Sequence, residues 1–389
     1  MRLRHIARIN PPTPEFDALP DDTAVPFLPL EAVWPADRLD TAQRRQKRQV
    51  ASGYTRIREG DILVPKITPT FQADRTSIAQ PIEGGVAAGT TELHIVRSNP
   101  GVDRRYVRYL LSSRPFLAFG EASMIGVAGQ KRVPDDCLRD LAVPVLDRVA
   151  QGRIADFLDV ETSRIDALIE RRQRMEELLR ERRRALVADQ VSSPADSAEV
   201  PLRFLLRERD VRGVAGEQVL SVYREFGVVP KASREDNFNK TPDDLSLYKL
   251  VLPGDLVVNK MKAWQGSVGV SAHRGVVSGD YLVCQIVASE VSGDFLHYLL
   301  RSPRLTGEFG KRSKGIRPSQ WRLYWEELAD IRVCLPGTDV QRVVAARLCR
   351  ESARVDRLLD EGQRMVALLS ERRQAVITAA VTGQLPAAA

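Results

Sequence analysis

QGRIADFLDVETSRIDALIERRQRMEELLRERRRALVADQV, residues 151–191, returns 190 positions later as QRVVAARLCRESARVDRLLDEGQRMVALLSERRQAVITAAV, residues 341–381, with no gap and 17 of 41 positions identical. A repeat of this kind marks a duplicated structural unit. Apolar residues recur in each copy at alternating steps of three and four. The stripe is Ile154, Leu158, Ile165, Leu168, Met175, Leu179 and Leu186 in the first copy; in the second it is Val344, Leu348, Val355, Leu358, Met365, Leu369 and Val376. Neither copy contains proline, so each reads as one long helix, and a 3.5-residue period held for about five heptads predicts a coiled-coil seam. Polar interruptions coincide at Glu161/Glu351, Arg172/Gly362 and Arg182/Arg372, which predicts two helices facing each other in matched register. Asp147 is the expected cap of the first helix, Thr338 with Gln341 spells a capping box for the second, and Gly383 followed by Pro386 stops it.

Outward from the helices the repeat grows fainter but persists. EGDILVPK at 59–66 matches PGDLVVNK at 253–260, Tyr109-Leu110-Leu111 matches Tyr298-Leu299-Leu300, and LRDLAV at 138–143 matches LADIRV at 328–333. The plan is therefore domain, helix, domain, helix: 1–147, 148–191, a small-residue linker SSPADSAEV at 192–200, 201–337 and 338–383. Runs of β-branched residues at 62–64, 92–96, 256–258 and 281–287 lie between Gly and Pro turns and predict strands. The fold class is mixed α/β (α+β), two β-rich domains separated by two long helices. A helix of about 37 residues is roughly 55 Å long, whereas the linker reaches about 30 Å. An antiparallel coiled coil spares the linker that distance, places one domain at each end and gives the chain an internal pseudo-two-fold.

At 389 residues with 43% hydrophobic and 28% charged residues, the chain has room for two ordinary globular cores. No apolar run approaches the roughly 18 residues of a membrane span, and MRLRHIARINPP lacks an apolar signal core, so a cytoplasmic protein without membrane contact is expected. Cys137, Cys284, Cys334 and Cys349 form no CxxC pair and have no histidine cluster beside them, which argues against a metal site. A net charge of +7 favours an anionic polymer as partner. Similar domains related by a two-fold suit duplex DNA, whose backbones are themselves related by two-folds. Because the two domains differ in sequence, the half-sites they read should differ too.

These residues resemble the specificity (S) subunits of type I restriction–modification systems, the HsdS family. KITPTFQADRTSIAQ from Lys66 with GTTELHIVR from Gly89 is similar to a first target-recognition domain. NKMKAWQGSVGVS from Asn259 with GVVSGDYLV from Gly275 is similar to a second, and VTGQL closes the likeness at 381–385. The resemblance implies two target-recognition domains spaced by helices acting as a ruler on double-stranded DNA. It also implies a non-catalytic subunit with two methyltransferase (M) subunits and motor-nuclease (R) subunits as partners. S-adenosylmethionine, ATP and Mg would serve those partners, the adenine being flipped out by the methyltransferase, and this chain would hold no cofactor, no metal and no catalytic residue.

The loop before the last strand of each domain supplies the DNA-contact candidates. GQKR gives Gln130, Lys131 and Arg132; KRSKGIRPSQWR gives Lys311, Arg312, Lys314, Arg317, Gln320 and Arg322. Arg and Lys match guanine edges and Gln matches adenine, while the bland alternative for each is solvated surface charge. Lys66, Lys260 and Lys262 follow the repeated strand and could reach phosphate. Trp264, Trp321, Tyr324 and Trp325 fit packing better than base stacking. The arginine runs at 171–174 and 180–184 alternate with glutamates, as solvated helix faces or a methyltransferase-docking surface do. Two catalytic lookalikes fail. Asn10-Pro11-Pro12-Thr13 lacks the stacking aromatic of an amino-methyltransferase motif, and Asp61 with Lys66 or Asp255 with Lys260 lacks the second acid a metal nuclease needs. A self-contained methyltransferase or nuclease, which would transfer methyl groups or cut DNA alone, and a protein-only coiled-coil adaptor, which would show no salt-dependent DNA affinity, are the rival classes.

Overall fold

The computed structural model describes residues 1–34, 38–127, 130–192, 198–233, 240–317 and 320–385. Residues 193–197 of the expected linker, Gly129, Pro318 and Ser319 of the quoted loops, and Pro386 lie outside the described residues. The chain divides into two units, 1–173 with 362–389, and 174–361.

The first unit is built on a four-stranded antiparallel sheet in the order Ala7–Ile9, Leu93–Ser98, Ile62–Pro65, Ser77–Ile78. Its inner strand ILVP is apolar at every position because both faces are covered, as expected of a strand buried on two sides. Ile62 and Val64 enter one core with Tyr106, Tyr109 and Phe116, and Leu63 enters another with Ile57, Ala87 and Ile95. A second sheet, Arg44–Gln46, Ala24–Leu28, Val86–Gly89, Thr55–Arg58, contains the parallel pairing Phe27 to Ala88. The second unit repeats the first sheet strand for strand: Leu206–Glu208, Tyr281–Ile286, Leu256–Asn259, Val268–Val270. Its inner strand LVVN is split between two cores in the same way, with Leu256 and Val258 on one side and Val257 on the other.

The recurring GD dipeptide makes the turn into each inner strand. Gly60 and Gly254 have φ of +88° and +90°, a conformation that glycine adopts without steric cost. The aspartate that follows closes the turn on itself: Arg58 N donates to Asp61 Oδ2 and Leu252 N donates to Asp255 Oδ2, both at 2.8 Å. Asp61 is fully buried and also receives Arg97 Nε at 2.6 Å and Nη2 at 2.8 Å. Its oxygens are thus committed to the fold.

The helices Arg148–Val191 and Thr338–Val381 span 44 residues each. Within the first unit, Ile154 and Leu158 share a core with Ile377, Ala380 and Val381. Within the second, Val191 lies with Ala345 and Leu348, and Leu186 and Val187 pack against that cluster. Early residues of one helix meet late residues of the other in both units, so the pairing is antiparallel. One ion pair recurs under the offset of the repeat: Arg373 Nε to Asp166 Oδ1 at 2.9 Å in the first unit, and Arg183 Nη1 to Asp356 Oδ1 at 2.6 Å in the second. Arg183 also binds Glu225 at 2.7 Å and its side chain is only 14% exposed, which corrects its reading as part of a solvated face.

The seam departs from the predicted stripe at its middle. Leu168, Met175, Leu358 and Met365 are 42%, 50%, 38% and 41% exposed, whereas Leu359 and Gly362 are buried. An α-helix drifts about 20° per heptad from a 3.5 repeat, so a stripe chosen by strict heptad spacing walks off the buried face. Capping also differs at one end. Asp147 caps the first helix, accepting Ala150 N at 2.7 Å, and the second ends at Gly383 as expected. No capping box forms at Thr338, whose hydroxyl donates to the Glu290 carbonyl. Gln341 instead ties its helix to the domain: its Oε1 accepts Ser292 N at 2.9 Å and its Nε2 donates to the Pro336 carbonyl at 2.8 Å. Gln151 does the same with Asp103 N and the Leu146 carbonyl, each at 2.9 Å. Asp103 and Ser292 are the N-caps of the helices Arg104–Leu111 and Gly293–Leu299, so each buried glutamine joins a long helix to the start of a domain helix.

Candidate nucleic-acid interface

Each unit carries an equivalent hairpin after its pair of short helices. In the first, Ile125 and Arg132 exchange backbone bonds of 3.0 and 2.9 Å, and Val133 N then donates to the Lys66 carbonyl at 2.9 Å. In the second, Lys314 and Arg322 exchange bonds of 2.9 Å, and Leu323 N donates to the Lys260 carbonyl at 2.9 Å. The repeated inner strand and the repeated loop are therefore neighbours in both units. Lys66, Gln130, Lys131 and Arg132 come together in one; Lys260, Lys314, Gln320 and Arg322 do so in the other.

Internal pairing sorts the candidates. Arg132 donates three hydrogen bonds of 2.8 to 3.1 Å to the carboxylate of Glu92, the residue before the strand Leu93–Ser98, and holds that acid below the usual carboxylate range. Arg322 pairs with Asp280 at 3.2 Å, Lys314 binds Glu327, and Lys311 and Arg312 both bind Glu308 within their own helix. Lys260 turns back to donate to the Gly279 carbonyl at 3.1 Å, and burial lowers its pKa. Solvent screening leaves exposed pairs of this kind with little net stabilisation, so they orient the loop rather than hold the fold together. Among the described residues, Lys131, Lys262 and Arg317 are exposed and make no ion pair, and Gln130 and Gln320 are exposed beside them.

The aromatic side chains follow the packing expectation with one exception. Trp264 and Trp321 meet edge to face at 5.5 Å, Trp264 Nε1 donates to the Met261 carbonyl, and Trp325 packs against the core. Tyr324 is 41% exposed, because it stands at the N-cap of Trp325–Ala329 instead of inside an element. Sequence reading passed over two arginine–aromatic stacks in the first unit, Arg45 over Phe27 at 3.8 Å and Arg75 over Trp34 at 4.6 Å. No spacing in the sequence joins their partners.

His94 lies beneath the first hairpin, 1% exposed, with Nε2 2.9 Å from the Val133 carbonyl and Nδ1 3.1 Å from Asp135. Burial, helped by the charge of Lys66, lowers its pKa to about 4 against the pull of Asp135. A histidine depressed from about 6.5 contributes stability that is whole above that pH and lost as the pH falls toward 4. His94 should therefore cost the first unit about 2 kcal/mol on going from pH 7 to pH 5. Urea titrations of wild type and His94→Gln at both pH values measure this: the variant should lose less stability on acidification, and an equal loss would contradict the assignment.

No protein-family model matches the chain. Over 156 residues it is 34% identical to the type I restriction enzyme EcoEI specificity subunit of Escherichia coli and 33% identical to the EcoAI specificity subunit of the same organism. Those matches span 39% of this chain but only 25% and 26% of the relatives, about a quarter of their length. In fold, 99% of the chain superimposes on 97% of a chain from a structure entitled "Structural basis underlying complex assembly and conformational transition of the type I R-M system", with a TM-score of 0.74 and 16% identity. It also superimposes over 99% of its length on 96% of the HsdS subunit from Thermoanaerobacter tengcongensis, with a TM-score of 0.51 and 15% identity. The chain has the fold of an HsdS specificity subunit. The resemblance read from the recognition-domain stretches thus holds in sequence over part of the chain and in HsdS fold over nearly all of it. Among the described residues no helix is long and apolar enough to cross a membrane.

Proposed function

We propose that this chain is the DNA-reading subunit of a type I restriction–modification assembly in the cytoplasm, with residues 1–147 and 201–337 each reading one half of a bipartite, asymmetric target. The observation that carries this reading is the duplication itself. The same hairpin stands beside the same strand in both units, the same glutamine ties each long helix to the start of a domain helix, and the same Asp–Arg pair joins the two long helices, while most of the exposed loop residues differ. A repeated frame with unlike contact residues is what two different half-sites require.

In this reading the chain performs no chemistry and holds no cofactor. Asp61 is occupied by Arg97, and a nuclease centre on that strand would lack its first ligand. Two methyltransferase subunits bring S-adenosylmethionine and flip the adenine, motor-nuclease subunits bring ATP and Mg, and this subunit decides which adenine is within reach. Lys66, Gln130, Lys131, Lys262, Arg317 and Gln320 are the first residues to assign to DNA. Arg132, Lys260, Lys311, Arg312, Lys314 and Arg322 join them only by exchanging an internal partner for phosphate or base.

The test is a genome-wide map of methylated adenines in cells with and without this chain. Loss of methylation at one motif split by unread bases is expected. Unchanged methylation, or loss at one continuous motif, would contradict the proposal.

A further inference from the structure

The tips of the two equivalent hairpins carry Val127, 79% exposed, and Ile316, 95% exposed. Each follows a glycine over which a glutamine carbonyl folds. A Cβ on Gly126 would lie 2.8 Å from the Gln130 oxygen, and one on Gly315 would lie 2.6 Å from the Gln320 oxygen, so neither position admits a side chain. Each hairpin closes on an arginine held by an acid of its own domain, Arg132 by Glu92 and Arg322 by Asp280. Glycine, a β-branched aliphatic residue, glutamine and a clamped arginine thus recur in order in two domains whose remaining sequence has largely diverged.

One exposed aliphatic side chain on a protein surface needs no explanation. Two at the same point of the same scaffold do, because neither serves a core. The clamped arginines shape the loops, which present the aliphatic side chain and an exposed glutamine together with Lys131 in one loop and Arg317 in the other. On the edges of DNA bases in the major groove, the C5-methyl of thymine is the apolar group, and an aliphatic side chain set against it excludes water from both. Glutamine complements it, since it pairs with the adenine edge that faces thymine in the same base pair.

We infer that Val127 and Ile316 read thymine methyl groups, each in the half-site of its own domain. This rests on the DNA-reading function proposed above. It adds two specificity-determining residues that carry no charge. Contacts of this kind change which sequence is preferred while leaving the salt dependence of binding alone, because no phosphate is gained or lost.

The experiment uses the full chain assembled with its methyltransferase. Wild type, Val127→Ser and Ile316→Ser each select from a pool of random-sequence duplexes, and the recovered motifs are compared. Val127→Ser should relax one or two positions in one half of the motif and Ile316→Ser in the other, each lowering affinity for the wild-type sequence about tenfold. Uracil in place of thymine at the relaxed position should weaken wild-type binding by a similar factor and leave the matching serine variant unaffected. Thermal midpoints and the slope of affinity against salt should stay at wild-type values, since both side chains lie in water. Unchanged motifs, or wild-type binding indifferent to uracil at every position, would overturn the inference and leave the DNA-reading function standing. A wild-type complex that recovers no motif would overturn that function and this inference together.

Discussion

Asp61→Ala should destabilise the first unit by about 3–5 kcal/mol. The carboxylate is fully buried, grips the Arg97 guanidinium through two oxygens at 2.6 and 2.8 Å, and accepts the amide that closes the turn into the inner strand. Arg97 is itself 13% exposed and donates onward to the Pro12 carbonyl and the Thr13 hydroxyl, so the pair anchors the Asn10–Thr13 loop as well. Removing the acid strands a largely buried cation and leaves an amide without its acceptor, and neither can recover hydration without opening the sheet. The equivalent change in the second unit should be milder. Asp255 keeps the turn but meets Arg209 only at 3.5 Å, and burial raises its pKa, so its ionised form is already held at some cost. About 1–2 kcal/mol is expected for Asp255→Ala, chiefly from the lost turn bond. Urea denaturation of both variants provides the comparison. Equal losses would mean that Arg97 adds nothing to the frame.

What could be read from the sequence follows from where the physics is local. The inner strands were visible in ILVP and LVVN because burial on two faces demands an unbroken apolar run. The paired helices were visible because a seam must repeat in register, and duplication wrote it twice. Strict heptad spacing misses the middle of the seam: Leu168 and Met175 are identical in type to Leu358 and Met365, yet all four are partly exposed while Leu359 and Gly362 are covered. Identity between copies reports common descent as well as burial, and heptad spacing alone cannot separate the two. Gln341 shows a second limit. Three residues after a threonine it spells a capping box, but a buried domain-helix terminus offered it better partners, and nothing near it in the sequence announces Ser292. The contact candidates fail to sort from sequence for the same reason. Glu92 lies 40 residues before Arg132 and Asp280 lies 42 before Arg322, so which arginines are clamped becomes known only once the strands are paired.

Under the proposed reading of a bipartite target, changing the spacer between its half-sites by a single base pair should reduce specific binding to the level of random DNA, a loss of at least about a thousandfold. One added base pair moves the second half-site by about 3.4 Å along the duplex and turns it by roughly 35° around the axis. To follow it, the protein would have to twist or lengthen the elements that connect its two reading domains. Those are two helices of 44 residues, free of proline, clasped in each unit by a buried apolar cluster and by an Asp–Arg pair. Helical backbone resists both distortions, because either one breaks hydrogen bonds along its length. The DNA could deform instead, but twisting a short spacer by that angle costs energy that depends on its sequence, so any residual binding should vary with the bases of the spacer even though none is touched. Competition binding by the methyltransferase-bound chain, with duplexes identical except for spacers one and two base pairs longer or shorter, measures the effect directly. Equal affinity across the series would mean that the helices tether the reading domains without setting their spacing.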